Sequence, residues 1–183
     1  MDMQQEEIVT VDRRPSAPPS PEKTHTLSMH VSNKAGVLMR ICQVFARRGY
    51  NIDSLVVSQG RDARFSRMTI GLSGDPEGLE QIIKQVNKLI DVIHCAEHDA
   101  TDSVTREMVL IKIATDANER TEILQVVDHF GGKTVDLTET SLVLMIQGAS
   151  EKVDAAMRML GKFQIIETVR TGKVVMARGE QPT

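Results

Sequence analysis

The hydrophobic period of this chain switches between about 2 and about 3.6 residues in one order, and then runs through that order again. Residues 27, 29 and 31 (Leu27, Met29, Val31) alternate with Ser28 and His30, which predicts a half-buried strand. Residues 35–48 predict a helix with Val37, Leu38, Ile41, Val44 and Phe45 on one face and Gly49 as its C-terminal cap. A strand over 50–58 follows, with a connection at 59–64. A third strand carries Met68, Ile70 and Leu72. Asp75 and Pro76 then suit the start of a helix striped by Leu79, Ile82, Ile83, Val86 and Leu89, and residues 92–98 predict a fourth strand. This is a βαββαβ unit. After a polar stretch at 99–105 the order recurs. It gives a strand over 108–114, a helix over 118–130, strands over 133–138 and 142–147, and a helix N-capped by Ser150. Residues 165–177 form a last strand, or a hairpin around Thr171-Gly172. The fold class expected is α+β, with two ferredoxin-like units.

The sequence has 183 residues with a formal net charge of -3. It has neither the basic excess that nucleic acid or an anionic membrane would attract nor the aromatics that base stacking needs, since only 3% are aromatic. No apolar run approaches the ~20 residues of a membrane span, and the acidic start lacks an apolar signal core. Two cysteines, Cys42 and Cys95, cannot build a disulfide framework; buried or half-buried thiols in a reducing cytoplasm are expected. Residues 1–23 hold Pro15, Pro18, Pro19 and Pro21 and read as a disordered tail. The expected domains are 24–98 and 106–179, joined by a linker at 99–105 and followed by a tail at 180–183.

The turn Val31-Ser32-Asn33-Lys34-Ala35-Gly36-Val37-Leu38 joins the first strand to the first helix. Such a turn aims free N–H groups and the positive end of a helix dipole at one point, where a carboxylate can sit. An aliphatic side chain on the same ligand adds burial, and an ammonium group finds an acceptor in the amide oxygen of Asn33 or Asn51. The same residues also make a plain strand-to-helix turn, and spacing alone does not separate the two.

No catalytic apparatus is legible. In His94-Cys95-Ala96-Glu97-His98 the strand sends alternate residues to opposite faces, so the set does not converge on a metal. His25, His30 and His129 are isolated and expected to be solvated or half-buried. Gly132-Lys133-Thr134 resembles the end of a phosphate loop, but position 127 is Val where that loop needs glycine.

Several motifs in order resemble the small regulatory subunit of acetolactate synthase (acetohydroxyacid synthase). They are Asn33-x-x-Gly36-x-Leu38-x-Arg40, Arg48-Gly49-Tyr50-Asn51-Ile52-Asp53-Ser54-Leu55, Ser66-Arg67-Met68-Thr69-Ile70, Lys88-Leu89-Ile90-Asp91-Val92 and Ile166-Glu167-x-x-Arg170-Thr171-Gly172. The resemblance covers about residues 24–180. It implies an N-terminal ACT domain at 24–98, a similar C-terminal domain, a homodimer through the ACT domain and a cytoplasmic location. It also implies a large catalytic subunit, carrying thiamine diphosphate, magnesium and FAD, that this chain activates and subjects to feedback by a branched-chain amino acid, typically valine. The implied effector site joins Asn33, Gly36, Val37 and Leu38 of one subunit to Asn51 and Ile52 of the other. Val37 stands where the family often has Ala, implying a tighter pocket, and Lys34 where an acidic residue is common. The alternative is a free-standing amino-acid-sensing ACT protein acting on another enzyme or on transcription; no helix-turn-helix pattern accompanies it.

Overall fold

The computed structural model describes residues 24–180 and 182–183; the proline-rich residues 1–23, expected to be a tail, lie outside them. The first unit comprises β1 (Thr24–Ser32), α1 (Val37–Arg47), β2 (Asn51–Gln59), β3 (Phe65–Ser73), α2 (Pro76–Val86) and β4 (Val92–His98). Its strands lie in the order β2-β3-β1-β4 and every neighbouring pair is antiparallel. Strand alternation sends Leu27, Met29 and Val31 of β1 and Met68, Ile70 and Leu72 of β3 to one face. Ile41 and Phe45 of α1 and Leu79, Ile82 and Val86 of α2 close over them. Each such side chain, withdrawn from water, stabilises the fold by about 1.5–3 kcal/mol before entropy is counted.

The second unit repeats the plan with β5 (Ser103–Ala114), α3 (Ala117–His129), β6 (Lys133–Leu137), β7 (Ser141–Gly148), α4 (Ser150–Leu160) and β8 (Ile165–Arg170), in the order β6-β7-β5-β8. Val109, Ile111 and Ile113 of β5 and Leu142, Leu144 and Ile146 of β7 meet Ile123 and Val127 of α3 and Val153, Ala156 and Leu160 of α4. Asp116 caps α3 by accepting the Asn118 and Glu119 amides at 2.8 and 3.0 Å. Those bonds, Glu119's first, hold its carboxyl below the ordinary range.

Four local expectations change. β5 starts at Ser103, so Ser103, Val104 and Thr105 are strand rather than linker. Residues 165–177 form neither one strand nor a hairpin. β8 pairs Val109–Ile113 of β5, and β9 (Val174–Ala177) pairs Ser103–Arg106 farther along the same edge, with Gly172 at φ 81° turning the chain between them. Ser150 is the first residue of α4 and Ala149 its N-cap, without a side-chain cap. His25 is buried, not solvated: it is 3% exposed and its Nδ1 lies 2.7 Å from Glu97 Oε1.

The second face of the first sheet is closed by the chain itself. Thr26, Ser28 and Thr69, on the side away from the helices, are buried. The paired start of β5 and β9 lies against this face. Val56 shares a cleft of about 750 Å³ with Arg106 and Val174, and the Arg67 guanidinium donates to the Thr183 carbonyl. Small side chains on the sheet let a second layer approach that closely.

The two outer edges of the first sheet differ. On β4 the Asn87 side chain donates to the Cys95 carbonyl at 3.0 Å and accepts the Cys95 amide at 2.8 Å, taking the place of a neighbouring strand. β2 pairs only with β3 and is largely exposed.

Candidate functional site at the start of the first helix

The β1–α1 turn is held on both sides by backbone. Ser32 N–H donates to the Asp91 carbonyl at 2.8 Å and Asn33 N–H to the Arg64 carbonyl at 2.7 Å. The Asn33 side-chain N–H donates to the Ala63 carbonyl at 2.9 Å, which turns its amide oxygen the other way. α1 begins at Val37, two residues later than the periodicity suggests, because Gly36 occupies the N-cap in the left-handed region at φ 82°. No side chain caps the helix; the Val37 amide donates to the Lys34 carbonyl at 3.4 Å, and the amides of the turn after it are the ones an anion can use.

A cation stands beside them. Arg40 donates to Asp91 Oδ2 through Nε at 3.0 Å and Nη2 at 2.5 Å. Its Nη1 lies 3.1 Å from where a Cβ on Gly36 would stand. A guanidinium and an uncapped helix terminus therefore converge in front of Gly36. Arg40 belongs to the quoted motif, but helical spacing alone does not bring its guanidinium to Gly36.

Val37 is 2% exposed with its isopropyl group in the core, so its side chain is not a wall that selects side chains at this site. The side chains that face outward are Leu38, 37% exposed, and Met39, 64% exposed. The i, i+4 pattern of Val37 and Ile41 carried the signal of the buried orientation.

Asn51 and Ile52 open β2. The Tyr50 ring lies against Gly74 and Gly78 and its hydroxyl donates to the Asp75 carbonyl, anchoring this end of β2 to the start of α2. Asp53 is the extra residue of a bulge between Ile52 and Ser54. Its carboxylate accepts from Asn51 Nδ2 at 2.7 Å and from the Ser73 hydroxyl. An ionised carboxylate only accepts, so the Asn51 amide must present its N–H₂ inward and its oxygen outward. Asp53 was not singled out from the sequence, because a bulge leaves no mark in the alternation.

Within one chain the two halves do not meet. Ser32 pairs with Phe65, and Asn51 pairs with Ser73 at the other end of the same sheet. Eight residue steps separate those ends, about 26 Å at ~3.3 Å per residue.

The strand His94–His98 behaves as alternation predicts: Cys95 lies in the core and His98 bonds Ser28 on the opposite face, 2.7 Å away. Among the described residues no group of three or more His, Cys, Asp or Glu side chains could hold a metal ion. Both cysteines are free, and burial pushes the Cys95 thiol up to about 12. No helix among the described residues is long and apolar enough to cross a membrane.

Comparison with known proteins agrees with the two-unit plan. Residues 27–94 match the family model described as the AHAS small subunit-like ACT domain, and residues 106–179 match that of the small subunit of acetolactate synthase. The chain is 44% identical over 156 residues to the acetolactate synthase small subunit of Mycolicibacterium smegmatis, covering 85% of this chain and 92% of that protein. It is 42% identical over 159 residues to a probable acetolactate synthase small subunit of Methanothermobacter thermautotrophicus, covering 86% and 95%. The crystal structure of the acetolactate synthase small subunit from Thermotoga maritima superposes with a TM-score of 0.79 at 38% identity, over 87% of this chain and 99% of that one. The chain belongs to the acetolactate synthase small-subunit family.

Proposed function

We propose that this chain activates the large catalytic subunit of acetolactate synthase and makes it sensitive to a branched-chain amino acid, with valine as the effector. The reaction, condensation of two pyruvates to 2-acetolactate with loss of CO2, belongs to the large subunit with its thiamine diphosphate, magnesium and FAD. The effector lies between two copies of this chain. Asn33, Gly36, Val37 and Leu38 come from one protomer; Asn51 and Ile52 come from its partner.

One observation carries this reading. Asn33 and Asn51 sit at opposite ends of a sheet whose edge strand, β2, is open. Antiparallel pairing of two β2 edges about a two-fold axis brings each Asn51 to the end of the partner's sheet that carries the uncapped α1. A zwitterion there meets a helix terminus and Arg40 at its carboxylate, the Asn51 oxygen at its ammonium group and Leu38 at its side chain. A coupling of about 1–3 kcal/mol between this site and the catalytic subunit gives strong inhibition.

The test is reconstitution with candidate large subunits, followed by activity measured with and without valine, leucine and isoleucine. The expected result is a rise in activity on mixing and its reversal by valine. A chain that neither associates with nor stimulates any acetolactate synthase large subunit refutes the proposal and favours a free-standing amino-acid sensor.

A further inference from the structure

The segment Arg170-Thr171-Gly172 joins β8 to β9 and touches both domains. Gly172 rests on β2: a Cβ added to it would stand 2.6 Å from Ser54 Cβ and 3.0 Å from Ser54 Oγ. Its φ of 81° is one that side-chain-bearing residues rarely adopt, so position 172 is bound to glycine by conformation and by space. Ser54 is itself wedged between Gly172 and Gly71, where an added Cβ would stand 2.5 Å from Ser54 Oγ. Thr171 N–H donates to the Met108 carbonyl at 3.0 Å, and its hydroxyl oxygen accepts the Met108 amide at 3.1 Å. Arg170 binds Glu107, which is buried, and donates from Nη1 to Asp154 of α4 at 2.8 Å. Those partners, Glu107 first, raise the guanidinium above its usual value, so the charge is fixed. A cleft of about 370 Å³ brings Asp53, Ser54, Glu107, Asp154, Arg170 and Lys173 together.

Every member of this contact is one or two steps from the effector strand. Asp53 holds the Asn51 amide, Ser54 follows Asp53, Gly172 presses on Ser54, and Thr171 and Arg170 fix Gly172 to β5 and α4. Resting on the effector reading above, we infer that the Ser54–Gly172 contact is the coupling point through which occupancy of the amino-acid site is passed from β2 to the C-terminal domain. The bulge at Asp53 interrupts the β2–β3 ladder at that point. A ligand that pulls Asn51 toward the partner moves the bulge, and the tight packing at Ser54 converts the shift into a tilt of the C-terminal domain. Loops do not absorb the movement, because Thr171 and Arg170 are tied into β5 and α4.

The test uses the full chain reconstituted with its large subunit. Gly172→Ala pushes the two surfaces apart and strains the turn, Ser54→Gly leaves a gap between them, and the double variant returns one methyl-sized group to the junction with the strain of the turn kept. Three readouts are taken: valine affinity by calorimetry, activation of the large subunit, and inhibition by valine. For each single variant we expect affinity and activation within about twofold of wild type and most of the inhibition at saturating valine lost, with inhibition restored in the double variant. Wild-type inhibition in both single variants overturns the inference. So does a loss of affinity equal to the loss of inhibition, which makes the contact part of the pocket, and so does a joint loss of activation and inhibition, which makes it structural. If Gly172→Ala does not fold, Ser54→Gly carries the same expectations and refutations. Failure of wild-type chain to bind valine refutes the effector proposal instead, so the two failures are distinguishable.

Discussion

Gly36→Asp separates the two roles proposed for the β1–α1 turn. At φ 82° any side chain costs about 1–2 kcal/mol of stability, and the new Cβ lands 3.1 Å from Arg40 Nη1, the far end of a side chain that can withdraw. The new carboxylate then sits at the helix terminus beside the guanidinium, which returns part of that loss. It also occupies the place proposed for the effector's own carboxylate. The ligand forfeits about 0.3–1 kcal/mol of interaction with the helix dipole and about 1.5–3 kcal/mol of charge-assisted hydrogen bonding. The sum, about 2–4 kcal/mol, corresponds to valine binding roughly 30- to 700-fold weaker. Gly36→Ala imposes the conformational strain without the charge and is expected to lose less. Calorimetry on the purified chain reads the affinity; activity of the reconstituted enzyme reads activation, which is expected to persist, and inhibition, which is expected to vanish. A folded Gly36→Asp chain that activates and is still inhibited at wild-type valine concentrations refutes the placement of the carboxylate.

Three other outcomes follow from the geometry. Asn51→Ala removes the outward-facing amide oxygen and should weaken valine binding by about 1–3 kcal/mol; Asp53→Ala leaves that amide free to turn and should weaken it less, an ordering that calorimetry on the two variants checks. Cys95, buried and with its thiol pushed up to about 12, should resist alkylation at pH 8 in the native protein and react fully once it is unfolded, as mass spectrometry of labelled peptides will show. The carboxyl of Asp116 is depressed in the folded state, so its stabilisation of α3 is present above the ordinary carboxylate range and is lost as pH falls through its lowered value. Hydrogen exchange in α3 should accelerate on acidification, and Asp116→Asn should blunt that pH dependence while keeping the helix capped.

The core was legible because its signals are local. Ile41 and Phe45 fall at helical spacing and Leu27, Met29 and Val31 at strand spacing, and all are buried where those periods put them. What depends on distant partners was not legible. Thr26, Ser28 and Thr69 alternate as a solvent face would, and they are buried under a β5–β9 ribbon that begins dozens of residues later in the chain. Residues 165–177 read as strand, but a strand pattern does not name its partner, and here both pieces share one long β5. At the site, hydrophobicity placed Val37 on the inward face of α1 yet did not exclude it from the pocket. The proximity of Arg40 to Gly36 and the clamp of Asp53 on Asn51 arise from side-chain geometry that no periodicity encodes.

The hydrogen bonds from Asn87 to Cys95 bear on how copies of the chain can accumulate. A sheet with both edges open can add copies head to tail without limit, because each addition leaves a fresh edge of the opposite kind. On β4 the Asn87 side chain takes up the amide and carbonyl of Cys95, so an incoming strand meets no free backbone partner at that residue. The proposed two-fold contact through β2 joins like to like and closes after two. In the proposed dimer, a single asparagine far from the effector loop thus blunts the edge that a further copy would need. Its removal should leave β4 a longer open edge and raise association beyond the proposed dimer, a change read by light scattering.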